Sequence, residues 1–159
     1  MVIKQIDGNL LDSNAELIMH QVNCQGKMNS GVAKAIREKW PNVYSEYLKL
    51  VNDKLYSSEK YFSLLGVVQP VTVSDTQKVL NLFGQDKYGY DGKQYTSYNA
   101  IECCFKKIAD YCTEKGFKTI AMPYMMSCCR GGGNWGTIMK LLEESFKNTD
   151  VTIEIWKIN

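Results

Sequence analysis

One histidine and three prolines stand in the 159 residues of this chain, and its six cysteines fall at 24, 103, 104, 112, 128 and 129. With His20 the only histidine, and with neither a C-x-x-C spacing nor a His/Cys cluster, no zinc site and no metal are expected. The opening MVIKQIDGNLL lacks a signal-peptide apolar core, so a disulfide framework is not expected; the reading is reduced thiols and a cytoplasmic location. No apolar run approaches the roughly 20 residues that cross a bilayer, which leaves no membrane partner. The net charge of +2 is too small to indicate nucleic acid or a membrane surface. Neither G-x-G-x-x-G nor G-x-x-x-x-G-K-[ST] occurs, so the dinucleotide and Walker fingerprints are absent, and no cofactor is expected.

What is present reads as one globular domain over residues 1–159. The 45% hydrophobic and 23% charged residues suit a folded chain with one sizeable core. Val2–Ile6 and Leu17–Val22 read as strands, the second nearly all apolar and therefore interior. Val32, Ile36 and Trp40 mark a helix over Gly31–Trp40, and Pro41 opens a second with Tyr44, Tyr47, Leu48 and Val51 on one face. Residues 65–73 and 78–83 read as two more strands. Ile101, Phe105, Ile108 and Cys112 stripe a helix that Gly116 closes. Thr119–Met122 is a strand, a helix begins at Trp135, and Val151, Ile153 and Ile155 alternate in a last strand. The order β-β-α-α-β-β-α-β-α-β predicts an α/β fold: a three-layer α/β/α arrangement with a mixed central sheet.

In such sheets ligands bind beyond the carboxyl ends of the strands. Two loops stand at such ends: NCQGKMNSG, residues 23–31, and PYMMSCCRGGGNW, residues 123–135. Backbone N–H groups at a helix start hold anions without a charged side chain. Three consecutive glycines, Gly131–Gly133, would let backbone approach a phosphate; the plainer alternative is a turn.

The chain resembles the macrodomain family, whose members bind ADP-ribose. The resemblance rests on DGNLL (7–11), HQVNCQGKMNSGVAKAI (20–36), NLFGQ (81–85) and PYMMSCCRGGGNW (123–135). It is similar to the branch of ADP-ribose-1″-phosphate phosphatases and ADP-ribosyl-glutamate and ADP-ribosyl-thymine hydrolases. His20, Met28, Gly31, Val32 and Ala33 meet one branch motif, and Pro123, Cys128, Gly132, Gly133 and Trp135 another. The resemblance implies that Asn9 and Leu10 lie against adenine. It implies that Asn23 through Val32, with Met28, Ser30 and Gly31, wrap the distal ribose and a phosphate. Ser127, Cys128, Cys129, Arg130, Gly131, Gly132 and Gly133 would cover the diphosphate.

The departures bear on chemistry. Asn9 replaces an aspartate, and Asn29, Ser127 and Cys129 stand where the branch has glycine. The catalytic lysine of the glutamate hydrolases falls on Gln85 and its partner aspartate near Gly131, so that covalent route has no nucleophile in place. Asn134 stands where the wider branch has aspartate, and an amide is no general base. The candidate catalytic residues are therefore His20 and Asn134. His20 is equally readable as a core histidine, and Asn134 first as a helix N-cap. Gln85 is a candidate ligand contact, readable also as a hydrogen-bonding partner of the loop that follows; the tyrosines of 87–98 read as ligand stacking or, more commonly, loop packing, and Lys27 and Arg130 as phosphate contacts or, more commonly, solvated cations. Two functions follow: hydrolysis of an ADP-ribose derivative at the distal ribose, ranked marginally first, and non-catalytic binding of ADP-ribose or a related nucleotide. An ADP-ribosylated macromolecule is a further possible partner of either.

Overall fold

A computed structural model describes residues 1–55, 63–89, 91, 93–128 and 131–158. The strands are β1 (Val2–Asp7), β2 (Leu17–Asn23), β3 (Val68–Thr72), β4 (Lys78–Gln85), β5 (Thr119–Pro123) and β6 (Thr152–Lys157). The helices are α1 (Gly31–Lys39), α2 (Pro41–Leu55), α3 (Tyr98–Lys115) and α4 (Trp135–Phe146), with one 3-10 turn at Leu10–Asp12. Each expected element is present in the expected order. The strand expected over 65–73 starts later, because Gly66 takes φ +85° and Val67 N–H closes a turn onto the Leu64 carbonyl.

The sheet runs β1-β6-β5-β2-β4-β3 and is mixed: β3 is antiparallel to β4, and the other pairs are parallel. Pro70, which cannot donate to a ladder, sits on β3 at the sheet edge. Alternation along the strands sorts the core into two layers. Leu17, Met19, Leu80, Leu82, Ile120 and Met122 pack with Ile101, Phe105, Ile108, Ile138, Leu142 and Phe146 of α3 and α4. Ile18, Val22, Val79, Phe83 and Ala121 pack with Ile36, Val43, Tyr47 and Val51 of α1 and α2. The period of two puts alternate residues of one strand on opposite faces, so helices cover both sides. Phe105 and Phe146 meet edge-on at 6.4 Å and join α3 to α4; truncating either to alanine would cost about 3–5 kcal/mol.

This topology creates a crevice. Neighbouring β2 and β5 run in parallel, yet the chain leaves β2 for α1 on one face and leaves β5 for α4 on the other. The two exits diverge beyond the strand ends, where open α/β sheets hold ligands.

Candidate functional site

A cleft of about 260 Å³ lies at the carboxyl ends of β2, β4 and β5. It is lined by Asn23, Lys27, Asn29, Ser30 and Gly31 from the first loop, by Val32 and Ala33 from the start of α1, and by Pro123–Ser127 and Gly131 from the second loop. Gln85 contributes from the end of β4, Tyr88 and Gly89 from beyond it, and His20, Gln21 and Val22 from β2. The described lining residues include one cation, Lys27, and no carboxylate.

The first loop is pinned from below. Asn23 Oδ1 accepts the Gln25 N–H at 2.9 Å, while its Nδ2 donates to the Lys27 carbonyl at 2.9 Å. The buried Tyr47 hydroxyl of α2 lies 2.5 Å from the Asn23 carbonyl and accepts the Gly26 N–H at 3.1 Å. Met28 is fully buried among α1 and α2 residues, so it anchors the loop and does not line the cleft. Ser30 is the extended residue before α1, and Gly31 follows at φ +60°.

The second loop is shaped by what packs against it. Met125 and Ser127 adopt φ +62° and +70°, a region L side chains rarely enter. The Gly131 carbonyl accepts N–H groups from Tyr95 at 2.7 Å and Thr96 at 2.9 Å. A Cβ on Gly131 would overlap the Thr96 hydroxyl and approach the Ser127 carbonyl oxygen to 2.6 Å. On Gly132 it would overlap the Lys93 carbonyl and come to 2.9 Å from Gln94 Cα; on Gly133 it would stand 2.8 Å from the Ser127 oxygen. The protein's own segment 93–97 and Ser127 therefore demand glycine at all three positions. Gly131 lines the cleft, whereas Gly132 and Gly133 are not among its lining residues.

His20 forms part of the floor, at 1% exposure. Its Nε2 lies 2.6 Å from Asn81 Oδ1, Asn81 Nδ2 donates to Gln69 Oε1 at 3.1 Å, and Gln69 Nε2 donates to the Glu46 carbonyl at 2.9 Å. That chain of donors fixes Asn81 Oδ1 as the acceptor, so the His20 proton sits on Nε2 and Nδ1 is a bare lone pair. Nδ1 is buried without a hydrogen-bond partner among the described residues. Burial pushes the imidazole pKa down to about 4, against the opposing hydrogen bond with Asn81, so the ring is neutral at pH 7.

Gln85 is held on both ends of its amide: Oε1 accepts from Gln21 Nε2 at 2.6 Å, and Nε2 donates to the Lys87 carbonyl at 2.8 Å. Asn134 caps α4, its Oδ1 accepting the Thr137 N–H at 3.0 Å. Asn9 caps the Leu10–Asp12 turn through a 3.0 Å bond from the Leu11 N–H, and Leu10 is buried against the α1/α2 layer. Neither Asn9, Leu10 nor Asn134 lines the cleft, and Cys128 packs into the α3/α4 layer. Cys129 and Arg130 lie outside the described residues. Burial, with Asp86 adding to it, pushes the Cys24 thiol up to about 12, which removes it as a neutral-pH nucleophile. Among the described residues no group of three His, Cys, Asp or Glu could hold a metal ion. No helix among them is long and apolar enough to cross a membrane.

Sequence reading missed Gln21 and Thr96, which join the cleft walls from beneath. The available signal was a polar pair, His20 and Gln21, flanked on both sides by apolar residues of β2.

The chain matches the Macro domain family over residues 19–141, and it belongs to that family. An uncharacterized 17.5 kDa protein of Enterobacteria phage T4 is 27% identical over 99% of this chain and 98% of its own length. An ADP-ribose 1″-phosphate phosphatase of Aspergillus oryzae is 39% identical over 46 residues, which span 28% of this chain and 23% of that protein. Among solved structures, a protein of unknown function from Bacteroides thetaiotaomicron superposes with a TM-score of 0.84 at 24% identity, covering 99% of this chain and 98% of that one. Thermosipho africanus DarTG, solved in complex with ADP-ribose, superposes with a TM-score of 0.76 at 16% identity, over 98% of this chain and 41% of that one.

Proposed function

We propose that the cleft binds ADP-ribose or an ADP-ribose derivative, free or carried on a macromolecule. The observation that carries this reading is the joint lining of one cleft by both glycine-bearing loops, with Lys27 and no carboxylate among the described residues. A diphosphate brings two negative charges, and such a wall does not repel them. The distal ribose would lie along residues 23–32 and the phosphates along Met125–Ser127 and Gly131, with adenine toward Asn9 and Leu10. Family membership and the ADP-ribose complex of Thermosipho africanus DarTG add weight to that ligand.

Binding without turnover ranks ahead of hydrolysis, the reverse of the order the sequence suggests. Hydrolysis has support from the short likeness to the Aspergillus phosphatase and from the bare His20 Nδ1 beneath the cleft. Against it, Gln85 spends both ends of its amide on the fold, and a ring with its pKa near 4 is a weak base at pH 7. Asn134 is engaged as a cap. The test has two arms. ADP-ribose at about a hundredfold over Kd adds about 2.7 kcal/mol of stability and raises Tm by several degrees. ADP-ribose 1″-phosphate and ADP-ribosylated glutamate or thymine substrates are then followed for released ADP-ribose. No thermal shift defeats the binding reading, and sustained release restores hydrolysis to first place.

A further inference from the structure

Ser127 is 8% exposed and sits at φ +70°, a conformation its Cβ disfavours. Three contacts hold it there. Its hydroxyl donates to Gln21 Oε1 at 2.6 Å, and its carbonyl accepts from Thr96 Oγ1 at 2.8 Å and from the Gly133 N–H at 2.9 Å. Gln21 Nε2 donates in turn to Thr96 Oγ1 at 3.0 Å and to Gln85 Oε1 at 2.6 Å. Gln21, Thr96 and Ser127 thus form a closed ring of hydrogen bonds. That ring joins the end of β2 to the segment before α3 and to the loop after β5, and Gln85 ties it to β4. Gln21 has a polar partner for each end of its amide, which holds its rotamer, and its Oε1 fills the space that a Cβ on Gly84 would take. A side chain two residues before the first loop is thus bonded directly to a loop more than a hundred residues later.

We propose that Gln21 is a positioning residue for the ligand: its amide holds Ser127 in the left-handed conformation and, through Ser127, sets the form of the wall at residues 123–128. The inference rests on the reading of this cleft as an ADP-ribose site. An uncharged amide suits the role, because it supplies one acceptor and two donors without placing a negative charge beside the phosphates. The strain at residue 127 is what makes the hold necessary: a glycine there would take the same φ without steric cost. A prop that merely fills space would show no such dependence on the residue at 127.

Calorimetry and hydrogen exchange on four variants test this. Gln21→Met keeps the chain length and removes the amide; ADP-ribose affinity is expected to fall about tenfold or more, with adenosine changed by less than about twofold. In the ligand-free protein the backbone N–H groups of Met126, Cys128 and Gly133, which close this loop, should exchange faster. Adding Ser127→Gly to Gln21→Met should restore ADP-ribose affinity to within about threefold of wild type. Ser127→Ala alone, which keeps the Cβ and loses the hydroxyl, should reproduce the Gln21→Met loss, and Ser127→Gly alone should not. Wild-type affinity and exchange in Gln21→Met would overturn the proposal. So would a double variant as weak as Gln21→Met, since Gln21 would then act by touching the ligand. If Gln21→Met does not fold, equal affinity of Ser127→Ala and Ser127→Gly overturns it. A wild-type protein that binds no ADP-ribose defeats the reading of the cleft instead, and the exchange arms still decide whether Gln21 holds Ser127.

Discussion

His20 gives its one ring proton to Asn81, at 2.6 Å, and leaves its second nitrogen bare under the cleft. The imidazole is neutral because burial outweighs the hydrogen bond, and this ties stability to pH. Its pKa is lowered from 6.5 to about 4, so between those values the unfolded chain takes up a proton that the folded chain refuses. Stability is intact above pH 6.5 and falls as pH drops toward 4. Each unit is worth about 1.4 kcal/mol, so the loss is on the order of 3 kcal/mol. His20→Gln retains a donor for Asn81 without titrating. Urea unfolding from pH 7 to 4 should show a shallower decline in that variant than in wild type. Parallel curves would place the pH sensitivity elsewhere.

Two glycines with similar φ make a controlled comparison. Gly132 at +70° lies under the Lys93 carbonyl and Gln94 Cα, whereas Gly116 at +79° has nothing within 4 Å of the added Cβ. Gly116→Ala should cost about 1 kcal/mol, for backbone conformation alone. Gly132→Ala should cost about 2 kcal/mol or more, since segment 93–97 must also move. Equal losses in denaturant midpoint, at unchanged m-value, would show that the contact with Lys93 is readily relieved.

Asn134 supplies an N-cap through Oδ1. Asn134→Ala should lower stability by about 1 kcal/mol, while Asn134→Asp should match or exceed wild type, because an anion at a helix start is favoured. Thermal unfolding distinguishes the two. A neutral Asn134→Ala would mean that the Thr137 N–H finds water as good a partner.

The layers of the fold were legible because apolar periodicity is a local signal. Ile101, Phe105, Ile108 and Cys112 mark one face of α3, and Gly116 ends it at φ +79°. The two glycine-bearing loops were legible as cleft walls for a similar reason: each follows a strand and precedes a helix. The reason for the three glycines was not legible. It lies in the approach of Lys93 and Gln94 to Gly132, of Thr96 and the Ser127 carbonyl to Gly131, and of that carbonyl to Gly133. Residues 93–96 stand more than thirty positions away, and their local sequence carries no mark of it. The same holds for Gln21 and Thr96, which meet only when β2 and the segment before α3 are folded together. Positive φ at Met125 and Ser127 also eluded sequence reading, since neither residue favours that region and packing overrides the preference.

The central claim, an ADP-ribose site between the two loops, is tested most directly by calorimetric titration. ADP-ribose should bind at one site, with adenosine and ribose 5-phosphate each at least about tenfold weaker, a difference of about 1.4 kcal/mol or more. That outcome would require contacts along the whole ligand, as a cleft lined by both loops provides. No heat with millimolar ADP-ribose, or an affinity no greater than that of adenosine, would contradict it.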